Sequence, residues 1–153
     1  MSVPRFWREI PQRYALTATR CTVCAATYYP PREVCPTCRR QSIGKLERVK
    51  LAGRGTIVEW TRVHKAAPGY ELQVPYVVAL VRTEEGPLVT GQIVDSEAAA
   101  VREGAHVQAV FRRLGADGDQ GVIYYGTKWT VAQAPPAAAE PEAPRRRGLR
   151  RRS

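Results

Sequence analysis

Cys21-Thr22-Val23-Cys24, followed after ten further residues by Cys35-Pro36-Thr37-Cys38, decides how this chain is read. Two residues between cysteines let one tight turn aim both sulfurs at a single point. Two such pairs at this distance close a thiolate tetrahedron around one Zn²⁺, or around iron in the same cage. A lone C-x-x-C would read as a redox dithiol, and disulfide pairing is the competing outcome for the set. These four are all the cysteines of the chain. A closed cage therefore leaves no thiol to act as a nucleophile. Four protein ligands also fill the coordination sphere, so the metal is structural and activates neither water nor substrate.

The surroundings favour metal over disulfide. The opening residues, Met1 to Ile10, contain no apolar signal-type run, and no later stretch is long enough to span a bilayer. The expectation is a soluble, cytoplasmic protein whose thiols stay reduced. The 153 residues carry a net charge of +10. Residues 134–153 hold six Arg and two Glu, a local balance of +4, which leaves +6 for the rest. Such a surface attracts nucleic acid, phosphate-rich cofactors or acidic proteins, and charge alone does not choose among them.

Outward from the cysteines, the chain divides into four parts. Phe6, Trp7 and Ile10 share one face of a short helix over 1–13, which Pro11 is expected to end. That face suits docking on the body or on another subunit. Residues 14–45 form the metal-stapled ribbon. Its strands lie around Tyr14–Thr19 and Tyr28-Tyr29, and Arg32, Arg39 and Arg40 decorate its outside. From 46 to 132 the pattern is β. A linking strand over 43–52 precedes strands over 55–64, 75–81, 88–94, 105–112 and 122–131, all rich in β-branched and aromatic residues. Gly91 suggests a bulge or bend, and Asp95-Ser96 is expected to cap a helix over 97–102. Five strands with a helix between the third and fourth match a mainly-β, five-stranded OB-fold barrel. Residues 133–153, rich in Pro and Ala before an Arg run, read as a disordered basic tail.

The inventory for catalysis is thin. The two histidines, His64 and His106, stand in no Ser/His/Asp order, and no Gly-rich phosphate loop occurs. Glu84 and Glu85 fall in a turn, and His106 reads as surface. His64 and Lys65 end the first barrel strand beside the Pro68-Gly69-Tyr70 loop, where an OB barrel binds its ligands. They are either an ordinary strand end or a contact for a phosphate or a partner's backbone. Arg62 and Trp60 share a face with His64. Trp60 either packs in the barrel or offers a stacking platform. Tyr70 and Tyr76 flank the same loop, and either stack on an adenine or cap the barrel mouth.

The array as a whole resembles a family. An aromatic N-terminal helix is followed by C-x-x-C, then Tyr28-Tyr29-Pro30-Pro31-Arg32, then Cys35-Pro36-x-Cys38. Gly53-x-Gly55-Thr56-Ile57, His64, Gly69-Tyr70 and Pro75-Tyr76-Val77-Val78-Ala79-Leu80-Val81 complete it. This is similar, over about residues 5 to 131, to the thiolase-associated family of a rubredoxin-like zinc ribbon plus OB-fold, long filed as a domain of unknown function. The resemblance implies structural zinc on Cys21, Cys24, Cys35 and Cys38. It also implies a non-catalytic accessory subunit beside a thiolase-like or aldolase-like acyl-CoA enzyme, and some members contribute a surface for the CoA moiety. On this chain Arg62, His64, Lys65, Tyr70 and Tyr76 are the candidates for that surface. The Arg-rich tail is not part of the family pattern. The alternative is a module for single-stranded nucleic acid, since OB barrels and zinc ribbons both bind such strands. Against it, the aromatics form no dense basic stripe.

Overall fold

The structure is a computed structural model. It describes residues 3–67, 69–116, 118 and 121–132, with the side chains of Val3, Arg5 and Phe6 outside that description. The tail expected to be disordered, 133–153, lies outside the described residues, as does the Phe6 side chain of the expected helix face. Among the described residues no helix is long and apolar enough to cross a membrane.

Helix α1 runs from Val3 to Ala15 and contains Pro11. It outruns the expected stop at that proline because its last turn is held from outside. The carbonyls of Pro11, Gln12 and Arg13 accept hydrogen bonds from the hydroxyls of Thr17 at 2.9 Å, Tyr29 at 3.3 Å and Thr127 at 2.8 Å. These are among the acceptors a helix end leaves unpaired. Leu16, at φ +46°, then ends the helix in the left-handed region. Thr127→Val keeps the shape but leaves the Arg13 carbonyl without its partner. It is expected to cost about 1 kcal/mol, read as a lower urea midpoint at unchanged metal content.

Strands β1 (Thr17–Cys21), β2 (Thr27–Tyr28) and β3 (Leu46–Lys50) form an antiparallel sheet in the order β2-β1-β3. The linking strand expected over 43–52 is β3, and all five of its residues pair with β1. Strands β4 (Arg54–Val63), β5 (Tyr76–Thr83), β6 (Leu88–Ile93), β7 (His106–Ala116) and β8 (Ile123–Val131) close a barrel in the order β4-β5-β6-β8-β7. This is the five-stranded OB arrangement. The seam between β6 and β8 is narrow. It consists of the parallel pair Ile93–Trp129 and a bond from the Val94 N–H to the Trp129 carbonyl at 2.8 Å.

Three expectations need correction. The ribbon strand expected around Tyr14–Thr19 starts only at Thr17, because Tyr14 and Ala15 belong to the last turn of α1. Residues 97–102 hold no α-helix, only a 3₁₀ turn over Ala98–Ala100. Ser96 does not cap it: the Ser96 hydroxyl donates to the Val94 carbonyl and accepts the Val131 N–H, both at 2.9 Å, while Asp95 pairs with Arg112. Gly91 is not a bulge either. The register shifts lie at Ile57/Glu59 and Arg113/Gly115. Gly91 is required because a Cβ there would lie 2.5 Å from Trp129 Cδ1.

One core joins the two sheets. Ile57, Ala79, Val81, Val107 and Trp129 fill the barrel, and Leu16, Ala18 and Leu51 extend the same cluster to the ribbon side. Trp60, left open between core and surface, is 39% exposed and takes no place in that core.

Candidate functional site

The two cysteine turns are built alike. After Cys21 leaves β1, its N–H donates to the Ala26 carbonyl at 2.9 Å, and the Ala25 N–H donates back to the Cys21 carbonyl at 2.8 Å. In the second turn the Arg39 N–H donates to the Cys35 carbonyl at 2.8 Å. The residue after each pair, Ala25 at φ +59° and Arg39 at φ +47°, is left-handed without being glycine. Each such residue costs about 1–2 kcal/mol. Buried Ser42 locks the second turn: its hydroxyl donates to the Arg39 carbonyl at 2.6 Å and accepts the Cys35 N–H at 2.9 Å. Sequence reasoning missed Ser42, because a serine in Arg-Arg-Gln-Ser carries no local sign of burial.

These turns bring the four sulfurs within 4.8 Å of one another. Cys21 and Cys35 are buried, Cys38 is half-buried and Cys24 is exposed. The Tyr28 hydroxyl lies 3.2 Å from Cys35 Sγ, and the Cys38 N–H donates to the same sulfur at 3.5 Å. The Tyr28 contact is the main reason the Cys35 thiol is lowered to about 6, with the Cys38 N–H next. Its neighbour Cys38 is pushed up to about 12, chiefly by the adjacent Cys24 sulfur and then by burial. Four sulfurs so close cannot all ionise on their own, and a divalent cation at their centre lets them. The donor set therefore fits a closed structural zinc site. The exposed Arg32 guanidinium lies over the Tyr28 ring, 5.7 Å from its centroid.

A second candidate surface lies on the barrel. Ala79, Val81, Val89 and Ile93 face the core, so Val78, Thr90 and Gln92 alternate to the outside of β5 and β6. The segment between β4 and β5 folds back over this outer face, where Gln73 Oε1 accepts from Gln92 Nε2 at 3.1 Å. Tyr70 and Tyr76 come together there, ring centroids 5.7 Å apart, and both line a cleft of about 300 Å³. Arg62, His64 and Lys65 are exposed, and their side chains form no hydrogen bond or ion pair among the described residues. None of the three lines that cleft. The one charged residue that lines the cleft among the described residues, Lys128, was not anticipated from the sequence.

Comparison with known proteins agrees with this geometry. Residues 8–44 match the ChsH2 rubredoxin-like zinc ribbon domain, and residues 48–112 match the ChsH2 C-terminal OB-fold domain. A DUF35 domain-containing scaffold protein of Methanocaldococcus jannaschii is 47% identical over 127 residues, covering 83% of this chain and 89% of that protein. The chain belongs to the DUF35 family. A probable enoyl-CoA hydratase alpha subunit of Thermomonospora curvata is 32% identical over 89 residues, which is 58% of this chain but 27% of that longer protein. The solved Ltp2-ChsH2(DUF35) aldolase aligns with a TM-score of 0.61 at 24% identity. That alignment covers 86% of this chain and 96% of the matched one, a likeness of fold.

Proposed function

We propose that this DUF35 protein is an accessory subunit that docks on a thiolase-like or aldolase-like acyl-CoA enzyme and leaves catalysis to that partner. The observation that carries the reading is the kinship with a scaffold protein over most of both chains. The hydratase subunit among the relatives and the aldolase among the structural neighbours bear names that fit the same setting. The chain's four thiols are gathered in the cage, and its histidines stand on separate strand ends. Trp7, 69% exposed on α1, offers a partner an aromatic anchor. Exposed Arg62, His64 and Lys65 suit the phosphates of CoA, and Tyr70 with Tyr76 suits the adenine or the pantetheine arm.

Co-expression with an acyl-CoA enzyme encoded beside it tests the reading. The expected result is a stable stoichiometric complex with a thiolase-fold or aldolase-fold subunit. A chain that elutes alone, next to an enzyme fully soluble and active without it, sinks the idea. Within the complex, the triple change Arg62→Ala, His64→Ala and Lys65→Ala is expected to weaken CoA binding roughly tenfold without dissociating the subunits.

A further inference from the structure

The cleft on the outer face of the barrel holds a positive charge to which, among the described residues, no acidic side chain is bonded. Lys128 leaves β8 on the face opposite Trp129, towards the segment between β4 and β5, and is only 6% exposed. An ammonium has three donor protons. Among the described residues its one hydrogen bond is to Gln73 Oε1 at 3.5 Å, and that oxygen already accepts the Gln92 amide at 3.1 Å. Asp95, whose field favours the charged form, is exposed and committed to Arg112 at 2.8 Å. Glu71 turns back on its own loop and accepts the Gly69 N–H through both oxygens. Burial consequently holds Lys128 below the ordinary lysine range, with Asp95 opposing and Arg112 adding to the effect. Lysine is almost never buried to this degree unless it is paired, because an unpaired cation out of water is costly.

The walls of the cleft complement that charge. Among the described residues, none that lines the 300 Å³ space is acidic. The tilted Tyr70–Tyr76 pair and Leu114 line it, and Thr90 adds a hydroxyl. We propose that this cleft is a binding site for a small oxyanion, a carboxylate or a phosphate monoester. Its charged end meets Lys128, and its planar or apolar remainder lies against the two tyrosines. The site shares Tyr70 and Tyr76 with the CoA surface proposed above but does not rest on it. Its test uses the chain alone, without partner or CoA, so the two readings fail separately.

The zinc-loaded full chain is titrated with inorganic phosphate and, separately, with benzoate, at ionic strength held constant with chloride. The side-chain amides of Gln73 and Gln92 are followed by NMR. The expected result is a saturable shift of both amides with at least one of the two anions and none with chloride. Saturation by phosphate alone assigns a phosphate monoester, and by benzoate alone a carboxylate. Lys128→Met is expected to weaken that response about ten- to a hundredfold, the range of a hydrogen bond to a charged group. Gln73→Glu places a carboxylate where the amide oxygen now meets the ammonium. It is expected to abolish the Gln92 response and raise the melting temperature, and it keeps the proposal testable if Lys128→Met fails to fold. Shifts that grow linearly without saturating overturn the proposal. So does a saturable response that survives in the folded variants.

Discussion

Cys24→Ser is expected to bring zinc content from one equivalent to near zero and to unfold the ribbon. Cys24 is the exposed member of the four, so a serine there disturbs no packing, and the effect reports the metal. The ribbon has little else to hold it. One of its three strands has two residues, and its fully buried side chains are mainly the metal-facing Cys21 and Cys35 with Ser42. Structural zinc in such modules contributes roughly 10–16 kcal/mol at neutral pH, more than the two left-handed turns cost. The loss spreads into the barrel, since Leu16, Ala18 and Leu51 belong to the common core. Because the ligands bind as thiolates, acid with a chelator should reproduce the variant. Elemental analysis together with a thermal melt decides the matter; full zinc and an unshifted melt would falsify it.

Trp129→Ala is expected to be nearly as damaging to the barrel. Trp129 is 1% exposed and among the largest fully buried side chains. Its removal costs about 3–5 kcal/mol, a fall of roughly 10 °C or more in melting temperature for a chain of this size. The same residue anchors the narrow seam between β6 and β8, so amide exchange along β6 should accelerate more than along β5. Gly91 supplies an internal control. Gly91→Ala drives a methyl into the indole, with contacts of 2.5 Å to Cδ1 and 2.7 Å to Nε1, and overpacking of this kind costs about 1–3 kcal/mol. In the Trp129→Ala background that penalty should vanish, and the cycle measures the coupling. Additive penalties would mean that Gly91 is needed for some other reason.

The parts legible in the sequence are those whose causes are local. Two residues between cysteines fix a turn whatever the rest of the chain does. The run Tyr76–Val81 is short, rich in valine and follows a proline, which favours a strand over a helix. The expected helix over 97–102 failed because tertiary contacts outbid its propensity. Val101 is drawn into the core at 5% exposed, Ser96 is engaged by Val94 and Val131, and a helix this short has too few bonds to offset nucleation. Pro11 misled in the opposite direction, because the hydroxyls that hold the last turn of α1 come from Thr17, Tyr29 and distant Thr127. Lys128 alternates with Trp129 and so reads as solvent-facing. What meets its ammonium instead is Gln73, 55 positions earlier.

The clamp at the end of α1 has a mechanical meaning. The exposed outer turn bearing Trp7 is an arm whose base is gripped at once by the metal module, through Thr17 and Tyr29, and by the barrel, through Thr127. A neighbour that takes hold of that arm thereby fixes the bearing of both modules in one step.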